Sequence, residues 1–107
     1  MGYLHHAQEV IELTNYQMAT IRYNSWNTDT NQTGKGTEYT LEVTLTTPKE
    51  YSKPLYDDLT KKGYNVTTRN GHTLEVTLKT RQAKKRETLT DSISDSVYSY
   101  FENERVL

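Results

Sequence analysis

Cysteine is absent from the 107 residues, which excludes disulfide frameworks, thiolate metal sites and cysteine nucleophiles together. Phenylalanine and tryptophan occur once each, proline twice and glycine five times. No apolar run approaches the roughly 20 residues that a membrane-spanning helix needs, so no membrane partner is expected. The start, Met1-Gly2-Tyr3-Leu4-His5-His6, has neither the basic head nor the apolar centre of a secretion signal. A cytoplasmic location follows as the expectation. An excess of one charge is missing too: 13 basic side chains against 14 acidic ones give a net charge of −1. Whole-chain electrostatics therefore announce neither a nucleic acid nor a membrane surface. The length suits one compact domain, residues 1–107, and not two.

What is abundant is threonine, eighteen residues, and tyrosine, nine. Threonine is β-branched and fits a half-buried strand, and tyrosine brings apolar area with a polar tip. With few aliphatic residues available, tyrosine has to supply part of the core as well as part of the surface. The charge balance also hides a local split. Lys79, Arg81, Lys84, Lys85 and Arg86 form a basic stretch without an acid, and the residues after it, 87–107, are acidic.

The organising signal is an internal echo. Thr40-Leu41-Glu42-Val43-Thr44-Leu45 recurs letter for letter as Thr73-Leu74-Glu75-Val76-Thr77-Leu78. Each copy follows a glycine-containing turn and precedes a helical pattern. Both alternate with a period of two: Tyr39, Leu41, Val43 and Leu45, like Leu74, Val76 and Leu78, face a core. Thr40, Glu42, Thr44, Thr46, Thr73, Glu75, Thr77 and Lys79 face away from it. Strands Ile21–Asn24 and Tyr64–Thr67 precede the two copies. For the second hairpin, a three-residue loop centred on Asn70 keeps Val66 opposite Leu74 and Tyr64 opposite Val76 on one face. That register predicts a type I turn with Gly71 left-handed at a bulge. The first loop, Asn27 to Gly36, is longer and polar, and is read as mobile.

Pro48 ends the second strand. Pro54 at an early helical position, Asp57 and Asp58 after it, Lys61 and Lys62 in the last turn and Gly63 as the stop outline a helix of about three turns. Leu89, Ile93, Val97, Tyr100 and Phe101 form the apolar stripe of a second helix, which starts at a Thr88 or Thr90 cap or earlier, within the basic stretch. At the N-terminus, Leu4, Ala7, Val10, Ile11 and Tyr16 favour a helix over 1–18, with a strand at Val10–Leu13 as the alternative. The expected fold is a two-layer α+β domain. Its four-stranded antiparallel sheet is built from two hairpin-plus-helix units, 19–63 and 64–104 (ββαββα), with an extra N-terminal helix as an option and the helices on one face.

No catalytic constellation emerges. His5 and His6 are adjacent and point about 100° apart on a helix, with no third ligand nearby, and His72 follows a turn; no metal and no cofactor are expected. Gly34-Lys35-Gly36-Thr37 lacks phosphate-loop spacing and leads into a strand instead of a helix. No serine sits in a nucleophile elbow. Asp57-Asp58 belongs to a helix start, and Glu42 with Glu75 are ordinary acids on an open sheet face. The sequons at Asn31 and Asn65 are read as chance among so many threonines. No enzyme is expected.

The reading that remains is a non-enzymatic interaction module with a protein partner, contacted through Thr40, Glu42, Thr44, Thr46, Thr73, Glu75 and Thr77. Small cysteine-free α+β chains without catalytic motifs are often made by phages or mobile elements to block a larger host protein, and that is the background expectation here. The alternative is a nucleic-acid binder using Arg69, Lys79, Arg81, Lys84, Lys85 and Arg86; the absence of outward aromatics on the best strands speaks against base stacking. A homodimer through an exposed edge strand is a further option.

Overall fold

A computed structural model describes residues 8–31 and 36–107. The chain runs β1 (Gln8–Glu12), β2 (Met18–Tyr23), β3 (Asn27–Asn31), β4 (Gly36–Thr46), α1 (Lys49–Lys61), β5 (Asn65–Asn70), β6 (Thr73–Thr80), a single 3-10 turn (Ala83–Lys85) and α2 (Arg86–Asn103). The α+β class and the antiparallel sheet agree with the sequence. The sheet has six strands, however, and not four: its order is β1-β2-β4-β6-β5, with β3 also paired to β4.

Both extra strands correct the sequence reading. Over the described residues the favoured N-terminal helix does not form; the strand alternative holds, as β1, which pairs along β2 with Val10 opposite Thr20. Ile11 is buried and Val10 is exposed, a period of two that no helix gives. The other addition is β3. At eleven residues β4 outruns β2, which covers only Val43–Thr46, and the chain beyond Trp26 supplies the partner for Gly36–Thr40. Part of the polar first loop is therefore a strand. The rest of that loop, 32–35, lies outside the described residues, as do most of the Asn31 sequon, the start of the Gly-Lys-Gly-Thr run, and His5 and His6.

The copied segments become the two central strands, β4 and β6, running antiparallel with Val43 opposite Val76. Their inward residues Leu41, Val43, Leu45, Leu74, Val76 and Leu78 are buried, and Tyr39 is half-buried. They share one core with Ile11, Ile21, Tyr23 and Val66 from the other strands and with Leu55, Leu59, Ile93, Val97, Tyr100 and Phe101 from the helices. Both helices therefore cover the same face of the sheet. Phe101 anchors the contact between them, with the Tyr51 ring edge-on at 5.6 Å.

The second hairpin closes differently from the sequence reading. Asn70 pairs with Thr73 and Thr68 with Leu74, so Arg69 is the extra residue of a bulge. Val66 thus meets Val76, not Leu74. Gly71 is not left-handed, because the Asn70 Oδ1 accepts the His72 N–H at 3.0 Å and the asparagine side chain shapes the turn itself.

The helix boundaries move as well. α1 starts one turn before Pro54, at Lys49 with Pro48 as the cap residue, because Tyr51 and Ser52 are needed against the core. α2 starts at Arg86, within the basic stretch, and neither Thr88 nor Thr90 caps it. Both helices stop the same way. Tyr64 N–H reaches Leu59 O and Gly63 N–H reaches Thr60 O; Val106 N–H reaches Phe101 O and Arg105 N–H reaches Glu102 O. These are two Schellman caps with Gly63 and Arg105 in the left-handed position. Among the described residues, no helix is long and apolar enough to cross a membrane.

Candidate functional site

Because both helices lie on one side, no described helix covers the opposite, open face of the sheet, and register arranges its side chains in rows across the strands. One row is Val10, Thr20, Thr46 and Thr73. The next is Arg22, Thr44, Glu75 and Thr67. A third holds Glu42, Thr77 and Asn65, and a fourth Asn27, Thr40 and Lys79. All seven residues assigned to a protein contact, Thr40, Glu42, Thr44, Thr46, Thr73, Glu75 and Thr77, thus share the open face of β4 and β6. Most are half-buried by their neighbours, and Thr73, opposite Thr46, is buried.

The antiparallel pairing of the copies gives the centre of this face a local two-fold relation. Thr44 stands opposite Glu75 and Thr77 opposite Glu42. The Thr44 hydroxyl donates to the Glu75 carboxylate at 3.2 and 3.3 Å, and the Thr77 hydroxyl donates to Glu42 at 3.3 Å to either oxygen. Each carboxylate is held by the hydroxyl across from it, the ordinary cross-strand pairing of an exposed sheet. The relation breaks at the edge: the bulge at Arg69 aims its guanidinium at Glu75, 2.7 Å away, and no described basic side chain lies within ion-pair distance of Glu42. The Arg69 pair is largely exposed and is worth about 0–1 kcal/mol.

This face carries hydroxyls, the two hydrogen-bonded carboxylates of Glu42 and Glu75, and the guanidinium groups of Arg22 and Arg69. No group of three acids or histidines among the described residues could hold a metal ion. Among the described residues, two concavities lie elsewhere, a groove of about 440 Å³ at the end of β6 and a smaller one of about 240 Å³ at the β1–β2 turn; neither is lined by Glu42 or Glu75.

Five of the nucleic-acid candidates follow one another from the end of β6 into α2, and Arg69 lies apart from them. Lys79 is on the open face, and Arg81 comes within 3.9 Å of Glu38. Lys84 and Lys85 are exposed in the 3-10 turn. Arg86 turns to the helix side, its guanidinium 4.7 Å above the Tyr39 ring and its Nε donating to Ala83 O at 3.0 Å. Arg69 sits at the other end of β6: from its partner Glu75 to Lys79 is about 13 Å along the strand. His72 is exposed in the hairpin turn.

One cluster was missed by sequence reasoning. Glu9 on β1 accepts from the Tyr23 hydroxyl and, at 3.0 Å, from the Ser94 hydroxyl of α2. Burial, reinforced by the hydrogen bond to Glu9, pushes the Tyr23 phenol well above its ordinary pKa, and burial followed by the Glu9 charge raises Tyr98 too. The cluster ties the edge strand to β2 and α2. Its only sequence signal is that Glu9 and Ile11 share a face, which has meaning once β1 is a strand.

Half-exposed apolar groups border the open face. Val10 and Met18 are 50% and 58% exposed, and Tyr16, in the turn between β1 and β2, is 97% exposed with a left-handed φ of 67°. No protein-family model matches the chain, and neither a curated protein nor a solved structure shows a significant match to it.

Proposed function

We propose that this chain is a non-enzymatic module that binds another protein through the open face of its sheet. The observation that carries this reading is the set of rows just described. Threonine hydroxyls, with Glu42 and Glu75 held in place, run without interruption into the apolar border of Val10 and Met18, and no helix covers them. Five strands about 4.8 Å apart and four rows about 6.7 Å apart make a face of about 20 Å by 20 Å. That is roughly half of the 800 Å² or so that each partner gives to a standard interface. A partner therefore has to extend over the border toward Tyr16, where the exposed apolar area is.

The basic residues support phosphate contact less well, because Arg69, Arg81 and Arg86 already have partners and Arg69 lies at the far end of β6 from the other two.

Thr44→Arg and Thr77→Arg test the reading. Each puts a long cation into the centre of the face and removes only one half-buried cross-strand hydrogen-bonding contact, worth about 0.5–1.5 kcal/mol. The immobilised wild-type chain should retain a protein from nuclease-treated extract of its source, and the two variants, folded by circular dichroism, should lose it. Undiminished capture by both folded variants would refute the assignment of this face.

A further inference from the structure

A second candidate site lies at the β5 edge of the sheet and borders the open face at Lys79. β6 outruns its edge neighbour: β5 begins at Asn65, opposite Thr77, so Leu78, Lys79 and Thr80 have β4 on one side and no strand on the other. The phase of the ladder fixes which of them is left open. Asn24 N–H donates to Glu42 O and Thr47 N–H to His72 O, so even-numbered residues of β4 bond toward β2 and odd-numbered ones toward β6. In an antiparallel ladder the direction alternates with every residue. On β6 the even-numbered residues therefore bond to β4, and Thr77 and Lys79 point their peptide groups toward β5.

Thr77 finds Asn65 there. The residue that would face Lys79 is Gly63, but Gly63 N–H is taken by Thr60 O and Tyr64 N–H by Leu59 O in the cap of α1. The cap thus turns the chain away from β6 and leaves the Lys79 N–H and C=O directed into a groove of about 440 Å³. Half-buried Leu89 supplies apolar surface beside the buried Leu78, and Tyr64 is held by Ser92 at 2.7 Å and Ser96 at 3.1 Å on the α2 side. Lys62 and Lys79 also line the groove, and no acidic residue does. Lys62 is ion-paired to Asp58 at 3.0 Å, and Lys79 makes no ion pair among the described residues.

We propose that this groove is a strand-addition site for an extended peptide segment of a protein partner in which acidic and apolar residues alternate. The added strand takes the place that β5 vacates and exchanges backbone hydrogen bonds with Lys79. Strand geometry sets the alternation: the side chains on the open face fall beside Lys79 and are acidic, and those on the helix side fall over Leu78 and Leu89 and are apolar. The site does not depend on the open-face reading.

The test uses the full chain and a fluorescein-labelled octapeptide, (Val-Glu)4, followed by fluorescence anisotropy, with (Val-Lys)4 as the control. The acidic peptide should bind saturably. Lys79→Glu should weaken it by about tenfold, the scale of reversing one close charge, and Lys62→Glu should act in the same direction. Lys53→Ala, at an exposed lysine of α1 outside the groove, should leave binding unchanged. On the wild-type chain, amide hydrogen exchange at Lys79 should slow when the peptide is bound, which a loose charge contact would not cause. Equal affinity for (Val-Lys)4, binding indifferent to Lys79→Glu, or an unprotected Lys79 amide would overturn the proposal. So would displacement of the peptide by ATP at similar concentration, which would make the groove a plain anion pocket.

Discussion

The two helix stops offer a controlled comparison within one molecule. Each Schellman cap needs one residue in the left-handed region, Gly63 at φ 98° after α1 and Arg105 at φ 62° after α2. A residue with a Cβ pays about 1–2 kcal/mol for that conformation. Glycine removes this cost but loses about 0.4–1 kcal/mol through the freedom it adds to the unfolded chain. Arg105 also gains a few tenths of a kcal/mol as a cation at a helix C-terminus, so the clean comparison is between Arg105→Gly and Arg105→Ala, both of which lose the charge. The glycine variant should be the more stable by about 0.5–1 kcal/mol, or roughly 3–6 °C in Tm for a chain of this size. Gly63→Ala should lose a similar amount. No heavy atom lies within 4 Å of the added Cβ at Gly63, so backbone conformation alone is at issue. Urea unfolding followed by circular dichroism measures all three variants against wild type, with unchanged m-values as the check on two-state behaviour. A glycine variant no more stable than Arg105→Ala would refute the cap assignment.

Gly71 should behave oppositely to Gly63. Its φ is not left-handed and the nearest atom to an added Cβ is the Lys49 Cε at 3.9 Å, so Gly71→Ala should be neutral or stabilising by a few tenths of a kcal/mol in the same urea titration. Pro54, in the second turn of α1, has no N–H to offer Glu50 O; Pro54→Ala should raise stability by about 1–2 kcal/mol, the helix-interior penalty less the unfolded-state gain of proline, as read by thermal melting. Tyr23 and Tyr100 give a pH dependence. Burial, with Glu9 beside Tyr23 and Glu104 near Tyr100, holds both phenols protonated, Tyr100 up to about 12. A folded-state pKa above the unfolded value of 10 means stability that is full below pH 10 and is lost as pH rises past it. Each phenol should contribute up to about 1.4 kcal/mol per pH unit, and Tyr23→Phe should flatten the decline measured between pH 10 and 11.5. An unchanged slope would remove Tyr23 from the account.

The parts of this fold that were legible in the sequence are those in which one face is apolar. Leu41, Val43 and Leu45, with Leu74, Val76 and Leu78, set both central strands and the direction of the threonine face, and Leu89 to Phe101 set α2. What escaped depends on partners distant in sequence. Asn27–Asn31 contains no apolar residue and becomes a strand only because β4 is too long for β2. Val10 and Ile11 fit a helical or an extended pattern equally well, and the choice is made by pairing with β2. The turn register went astray because a bulge at Arg69 costs little where Asn70 can shape the turn with its own side chain. The candidate face was legible residue by residue, but the reciprocal Thr44–Glu75 and Thr77–Glu42 contacts require the two copies to lie side by side, which alternation alone does not specify.

Protein recognition through the open face can be probed by placing a photo-reactive amino acid at position 44 or at position 84 and irradiating the chain in extract of its source, with and without nuclease. A discrete protein should cross-link from position 44, unaffected by nuclease, with little from position 84. Cross-linking from position 84 alone, abolished by nuclease, would contradict protein recognition through this face.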